Sequence, residues 1–267
     1  MKEIFVQPKD GLANRMRTIV GAISLAKKIK CKVTVLWVRD PMLNAKFNDI
    51  FAPIPGIKVY EYERNSKFLL LHLIYIRKII KSYYVDDNWI VNNVRPYKDD
   101  TFISQLAGHN VLIHSCYDII RAGDYSIFKL SKKMTDRIMP EVITDKNIIG
   151  IHIRRTDNLK SIKYSPTNLF IDKMKEELSN NSDTKFYLAT DDPNEEKELK
   201  DRFKTHILTY TKTSLNRNNP NAIYDAVIDL YHLSQCKKLY ASYWSSFSDI
   251  AALWGNINKY VLAKDIE

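Results

Sequence analysis

Two adjacent arginines, Arg154 and Arg155, end the apolar run Ile148-Ile149-Gly150-Ile151-His152-Ile153, and the carboxylate Asp157 follows two residues later. A run of this kind reads as a buried strand whose charged tail reaches its C-terminal edge, where open α/β sheets take their ligands. Two guanidiniums, an imidazole and a carboxylate are costly to gather unless an anion or internal ion pairs balance them. A diphosphate would do so; structural pairs at a strand end are the alternative.

Three further clusters have chemical potential. A second apolar run, Tyr187-Leu188-Ala189-Thr190, ends in Asp191 and Asp192. Asp192, Pro193 and Glu195 carry the signature of a helix start, with a cap, a first-turn proline and a capping-box acid. Asp191 lacks that role and is the better site candidate; with no third ligand identifiable, no metal is assigned. From Asn221 to Cys236, Ile223, Val227 and Leu230 form a buried stripe while Asp225, Asp229 and His232 share another face. Two acids one turn apart call for a cationic or hydrogen-bonding partner. A carboxylate of this stripe could accept two N–H bonds from a guanine edge, and solvent exposure of the stripe is the other reading. The run Lys238 to Ala241 leads into Ser242-Tyr243-Trp244-Ser245-Ser246-Phe247-Ser248 and a helix, where hydroxyls and free N–H groups suit phosphate. No glycine elbow surrounds these serines, which argues against a nucleophilic role. Near the N-terminus, a strand, a turn at Asp10-Gly11 and a helix start could also face an anion, although one glycine matches neither a P-loop nor a dinucleotide fingerprint. The plainer reading is a turn capped by Asn14, with Arg15 and Arg17 as solvated first-turn residues.

These residues need strands to carry them. Strand-like runs fall at Ile4–Val6, Val33–Trp37, Ile57–Tyr60, Trp89–Val91 and Val111–His114, then at Ile148–Ile153, Phe186–Ala189, His206–Tyr210 and Lys238–Ala241. Helical patterns intervene at about 14–29, 66–83, 167–179, 193–203, 221–234 and 247–254, an alternation that predicts doubly wound parallel sheets. At 267 residues the chain suits two domains, residues 1–140 and 141–267, dividing near Met139-Pro140-Glu141. Asn216 to Asn221 is the clearest loop. The formal charge of +10, from 41 basic and 31 acidic residues, favours nucleotides, phosphorylated substrates, nucleic acid or acidic membrane surfaces. Cys31, Cys116 and Cys236, without metal-type spacing, read as reduced core residues of a cytosolic protein. Met1 to Val6 enters a strand with no signal segment. Phe68 to Ile80 is too short to span a membrane and is interrupted by His72, Arg77 and Lys78. It reads as a helix packed on a core with its basic side wet, in preference to a basic amphipathic helix on a membrane surface.

Four segments taken together, GIHIRRTDN at 150–158, FYLATDDP at 186–193, AVIDLYHLSQ at 226–235 and YWSSFSDIAALW at 243–254, resemble the GDP-fucose-dependent α1,6-fucosyltransferases and their relatives, which include nodulation and protein O-fucosyltransferases. The likeness covers about residues 147–254, and GLANRMR at 11–17 is similar to that family's N-terminal donor loop. The resemblance implies an α/β enzyme of GT-B type with two Rossmann-like doubly wound domains, the second holding the nucleotide sugar and the first on the acceptor side. It implies that Arg154 clamps the diphosphate with Arg155 beside it, His152 looks towards base and sugar, Asp229 reads guanine, and Ser245 and Ser246 hold phosphate. Asp157 matches the motif acid, Asp191 and Asp192 the acidic pair, and Gly11 and Asn14 the donor loop.

The implied reaction is inverting transfer of fucose from GDP-fucose, without metal or cofactor, to a hydroxyl of a glycan, lipid-linked or protein acceptor. Fixed cations and a helix N-terminus would stabilise the departing diphosphate, and a base must take the acceptor proton. After Asp157 the chain reads Asn158-Leu159-Lys160-Ser161-Ile162, without the Lys and Glu of the α1,6 enzymes. Asp157 and then Asp10 are therefore the base candidates. The nearest alternative keeps the fold and uses another nucleotide sugar, such as a UDP-sugar. A nucleic-acid or anionic-surface binder, with affinity falling steeply with salt, is the third. The resemblance and the missing signal segment imply a cytosolic microbial or viral setting, with no nucleic-acid partner and with peripheral membrane contact as an open expectation.

Overall fold

A computed structural model describes residues 2–94, 101–121, 123–214 and 218–264, so the Asn216–Arg217 part of the expected loop lies outside the described residues. The chain divides into two compact units, Met1–Met134 with Asn216–Ile223, and Thr135–Leu215 with Tyr224–Glu267. Each contains one parallel sheet, as expected, and each sheet has five strands.

In the first unit, β1 (Glu3–Pro8), β2 (Lys32–Arg39), β3 (Lys58–Glu63), β4 (Tyr83–Asp86) and β5 (Val111–Ser115) lie in the order β3-β2-β1-β5-β4. Helix α1 (Leu12–Ile29) follows β1, α2 (Lys67–Ile74) continues into a π-helical turn at Tyr75–Ile79, and α3 (Asp87–Asn93) follows β4. The run Trp89–Val91, expected as a strand, is instead the middle of α3. The Asp86 carboxylate caps that helix by accepting from the Trp89 N–H at 2.8 Å, and Ile90 supplies its buried side chain. The strand lies a few residues earlier, at Tyr83–Asp86, where the helical pattern 66–83 was expected to end. Arg15 is not solvated either. It is fully buried, and its guanidinium donates to the Asp10 carbonyl at 2.8 Å, the Val38 carbonyl at 2.5 Å and the Asp40 carboxylate at 2.9 Å. One arginine thereby ties the turn after β1 to the end of β2.

In the second unit, β6 (Ile149–Ile153), β7 (Phe186–Thr190), β8 (Ile207–Leu208), β9 (Leu239–Ser242) and β10 (Lys259–Leu262) lie in the order β10-β9-β6-β7-β8. Counted within the unit, the first strand sits between the second and the fourth, which is the Rossmann order. Helices α4 (Leu159–Tyr164), α5 (Thr167–Asn180), α6 (Pro193–Phe203), α7 (Pro220–Gln235) and α8 (Ser246–Gly255) connect them. Ile149, Ile151 and Ile153 pack on one face with Phe170 and Met174 of α5 and Leu199 and Phe203 of α6. On the other face a Cβ added to Gly150 would lie 3.2 Å from Leu233 and 3.4 Å from Cys236, so the end of α7 is seated directly on the strand. Burial on both faces is why β6 reads as an unbroken apolar run. The edge strand β10 has no counterpart in the sequence reading; its Tyr260 and Val261 are 47% and 43% exposed.

Candidate active site

The site grows from the place where β6 and β9 run side by side, with His152 level with Ala241. These are the first and fourth strands of the sheet, the switch point at which open α/β sheets bind ligands. Just beyond, the Arg154 N–H donates to the Ser242 hydroxyl at 3.1 Å, joining the two strand ends. Asn158 caps α4 and sends its amide to the Trp244 carbonyl at 2.8 Å, so the loops after β6 and β9 are tied a second time. Asn158 closes the first motif and Ser242 immediately precedes the fourth, but nothing in their spacing distinguishes them as the ties.

Asp191, at the end of β7, organises the loop that carries the arginines. Its carboxylate accepts from the Arg155 N–H at 2.7 Å, the Thr156 N–H at 3.2 Å and the Thr156 hydroxyl at 2.6 Å, and it pairs with Arg154 at 2.8 Å. Burial pushes this carboxyl up, but the Thr156 hydroxyl, the Arg154 guanidinium and the two backbone N–H groups together hold it below the usual range. Arg154 also pairs with Asp157, whose side chain is 56% exposed. The Arg154 side chain remains 21% exposed at the strand edge.

Arg155 turns the other way. Its guanidinium donates to Glu195 at 3.0 and 3.1 Å, to the Thr167 hydroxyl at 3.0 Å and to the Arg154 carbonyl at 3.0 Å. Glu195 is 7% exposed and faces Arg155 and Thr167 rather than closing a capping box on Asp192. Asp192 itself caps α6 through the Asn194 N–H at 2.9 Å, the role its local sequence signalled.

His152 is 5% exposed and stacks on Phe247 at 5.1 Å between ring centroids. Burial first, and the nearby Arg154 second, lower its pKa to about 3, so the imidazole is neutral near pH 7. Its Nδ1 is buried without a hydrogen-bond partner among the described residues. Ser245 sits at the N-cap of α8 and makes no side-chain cap bond, and Ser246 opens the helix. The first-turn N–H groups of such a helix have no intrahelical acceptor and favour an anion.

The Asp225, Asp229 and His232 stripe is buried at 1%, 4% and 0% exposure, which excludes the solvated reading. The cation for Asp225 is Arg137 at 2.5 Å, and Thr213 adds N–H and hydroxyl bonds at 2.6 and 2.7 Å. Asp229 accepts from the Tyr187 hydroxyl at 2.6 Å and faces the Lys212 ammonium at 3.3 Å. Burial outweighs both partners and raises its pKa to about 6. Neither Tyr187 nor Lys212 was singled out beforehand, because each acquires its role through a contact distant in sequence.

Asp10, Gly11 and Asn14 belong to the first unit. The left-handed residue of their turn is Asp10, at φ 65°, rather than the glycine. Gly11 is the N-cap of α1 with φ −71°, and a Cβ there would meet nothing within 4 Å. Asn14 is not a cap: it lies within α1 and its side-chain oxygen accepts from Arg17 at 2.6 Å. Among the described residues no group of three or more His, Cys, Asp or Glu side chains could hold a metal ion.

No family model and no curated protein matches the sequence. Solved structures match in fold. The α1,6-fucosyltransferase NodZ soaked with GDP-fucose aligns at TM-score 0.62 and 17% identity over 95% of this chain and 92% of that one. A variant of FUT1 from Arabidopsis thaliana in complex with GDP aligns at 0.62 and 13% identity, over 98% of this chain and 70% of that one. POFUT1 in complex with GDP aligns at 0.56 and 9% identity, over 98% of each chain. The chain thus shares the two-unit, Rossmann-like GT-B fold of these fucosyltransferases.

Proposed function

We propose that the protein is an inverting glycosyltransferase that moves fucose from GDP-fucose to an acceptor hydroxyl without a metal ion. One observation carries the reading: a partly exposed Arg154, aimed by Asp191 at the switch point and joined through Ser242 to the strand that leads into the open N-terminus of α8. An anionic leaving group is the ligand this pairing suits best. The neighbours solved with GDP or GDP-fucose support the choice of donor.

In the proposed reaction the acceptor oxygen attacks the anomeric carbon as the bond from that carbon to the diphosphate oxygen breaks. The electron pair leaves with GDP, whose charge Arg154 and the first turn of α8 stabilise. The acceptor proton passes to one carboxylate, for which Asp157 is the first candidate and Asp10 the alternative. Neutral His152, stacked on Phe247, offers a ring and a hydrogen-bonding nitrogen rather than a charge. Asp229 reads guanine in this scheme, which requires Lys212 to share or yield its place beside the carboxylate. Arg155 and Asp192 serve by holding the loop and α6. The acceptor class is a glycan, lipid-linked or protein hydroxyl.

The first experiment is thermal stabilisation by GDP, UDP, CDP and ADP in excess chelator. A ligand at about a hundredfold its Kd stabilises the fold by about 2.7 kcal/mol, several degrees in Tm for a chain of this size. A shift selective for GDP, absent in Arg154→Ala, is the expected result. Selectivity for UDP would overturn the donor, and no shift from any nucleotide, with or without metal, would overturn the transferase reading.

A further inference from the structure

We propose that the outer face of α2 and its π-helical turn docks the first unit onto an anionic lipid bilayer. The inward side of this segment is used up by the fold: Leu69 and Ile76 are buried, and Ile76, Leu73 and Ile80 pack against Phe5, Leu36 and Leu112 of the sheet. The outward side carries the exposed basic residues expected there, and it is also apolar. Phe68 is 77% exposed, Leu70 60%, Leu71 62%, Ile74 41%, Tyr75 49% and Ile79 69%. A contiguous face of this size is rarely left in water by a monomeric protein.

Charge selects what covers it. Exposed Lys67, Arg77, Lys78 and Lys81 stand among the apolar side chains, and no acidic residue occurs from Arg64 to Val85. Phe68 also borders a groove of about 770 Å³ in which Arg39, Lys46 and Arg64 stand beside Glu61 and Glu63, with Arg39 paired to Glu63 at 2.6 Å, so the basic character of the face rests on Lys67, Arg77, Lys78 and Lys81. An apolar protein surface would bury these cations without partners, at high cost. A two-fold pairing of the face with itself would set the same cations against one another. A bilayer surface meets both requirements, since lysine stems lie along the apolar layer while their heads reach lipid phosphates. Among the described residues no helix is long and apolar enough to cross a membrane, so the contact lies along the surface.

The test is co-sedimentation of the full chain with vesicles of phosphatidylcholine, with and without about one third phosphatidylglycerol. The wild-type chain is expected to pellet with the anionic vesicles and far less with the neutral ones. Phe68→Ser with Leu71→Ser, and separately Lys78→Glu with Lys81→Glu, should each weaken binding by about tenfold or more, with far-UV circular dichroism unchanged. Lys175→Glu with Lys197→Glu makes the same charge change on the second unit and should bind as wild type. Equal loss in that control would assign the effect to net charge and overturn the proposal. So would absence of pelleting, or sedimentation velocity showing a wild-type dimer that Phe68→Ser with Leu71→Ser converts to monomer.

Discussion

Arg154 and Arg155 are consecutive and chemically identical, yet the structure gives them opposite tasks. Arg155 is closed in on Glu195 and Thr167, and its side chain is only 12% exposed. Replacing it by alanine leaves Glu195 buried without its cation, which costs roughly 3 kcal/mol, a fall in Tm on the order of 10 °C. Arg154→Ala removes a group at the strand edge, while Asp191 keeps its bonds to Thr156 and to two backbone N–H groups. We expect Tm to stay within about 3 °C of wild type in that variant while the GDP-induced shift disappears. Calorimetry of both variants with and without GDP checks the division, and a stable Arg155→Ala that has lost GDP binding would reverse it. The sequence marked both arginines as a charged strand end but could not separate them. What separates them is Glu195, far along the chain, which a local helix-start pattern assigns to a capping box. Asp192 was legible for the converse reason, since cap, proline and helix are contiguous.

At the scale of elements, the end of α8 lies directly against the backbone at the end of α7. A Cβ on Gly255 would lie 1.8 Å from the Ser234 carbonyl oxygen and 2.7 Å from its carbon, both backbone atoms. Gly255→Ala therefore forces the helices apart and should cost about 3 kcal/mol. A lowered urea midpoint with an unchanged m-value is the expected signature; a midpoint equal to wild type would show that the helices yield freely. Elements buried on both faces, such as β6 and β7, were readable as apolar runs because the fold demands nothing polar of them. Short elements were not. Trp89–Val91 has strand-like side chains, and a run of that length does not distinguish strand from helix; the Asp86 cap decided for helix. The four-residue β4 was hidden at the end of a longer helical pattern, and β10, half exposed at a sheet edge, lacks the apolar continuity that marks its neighbours.

At the scale of the whole molecule, buried imidazoles tie stability to pH. His232 accepts from the Met139 N–H at 3.0 Å through Nε2, and its Nδ1 lies 3.0 Å from the Tyr187 oxygen, whose proton is given to Asp229. Nδ1 must therefore carry the hydrogen, a neutral tautomer with no room for a second proton. Burial lowers the His232 pKa to about 4, and that of His152 to about 3. Burial also lowers His72 and His114 in the first unit. In the unfolded chain each titrates near 6.5. As pH falls below that value the unfolded state binds protons that the folded state refuses, and stability falls until the folded pKa is reached. Asp229 opposes this trend, because its folded pKa of about 6 keeps a proton that the unfolded carboxyl has lost above its ordinary 3.8. Two imidazoles in the second unit against one carboxyl leave a net excess of about one proton in the unfolded state, and His72 and His114 add to it. Stability should therefore drop by at least about 1.4 kcal/mol per pH unit between pH 6 and 5. Asp191 and Glu196, held below their ordinary values, add their losses only below about pH 4.5. Urea denaturation at half-unit intervals reads the slope directly. In His232→Phe the slope, whatever the absolute stability, should shrink by the share of one proton, and an unchanged slope would place the charge-sensitive group elsewhere.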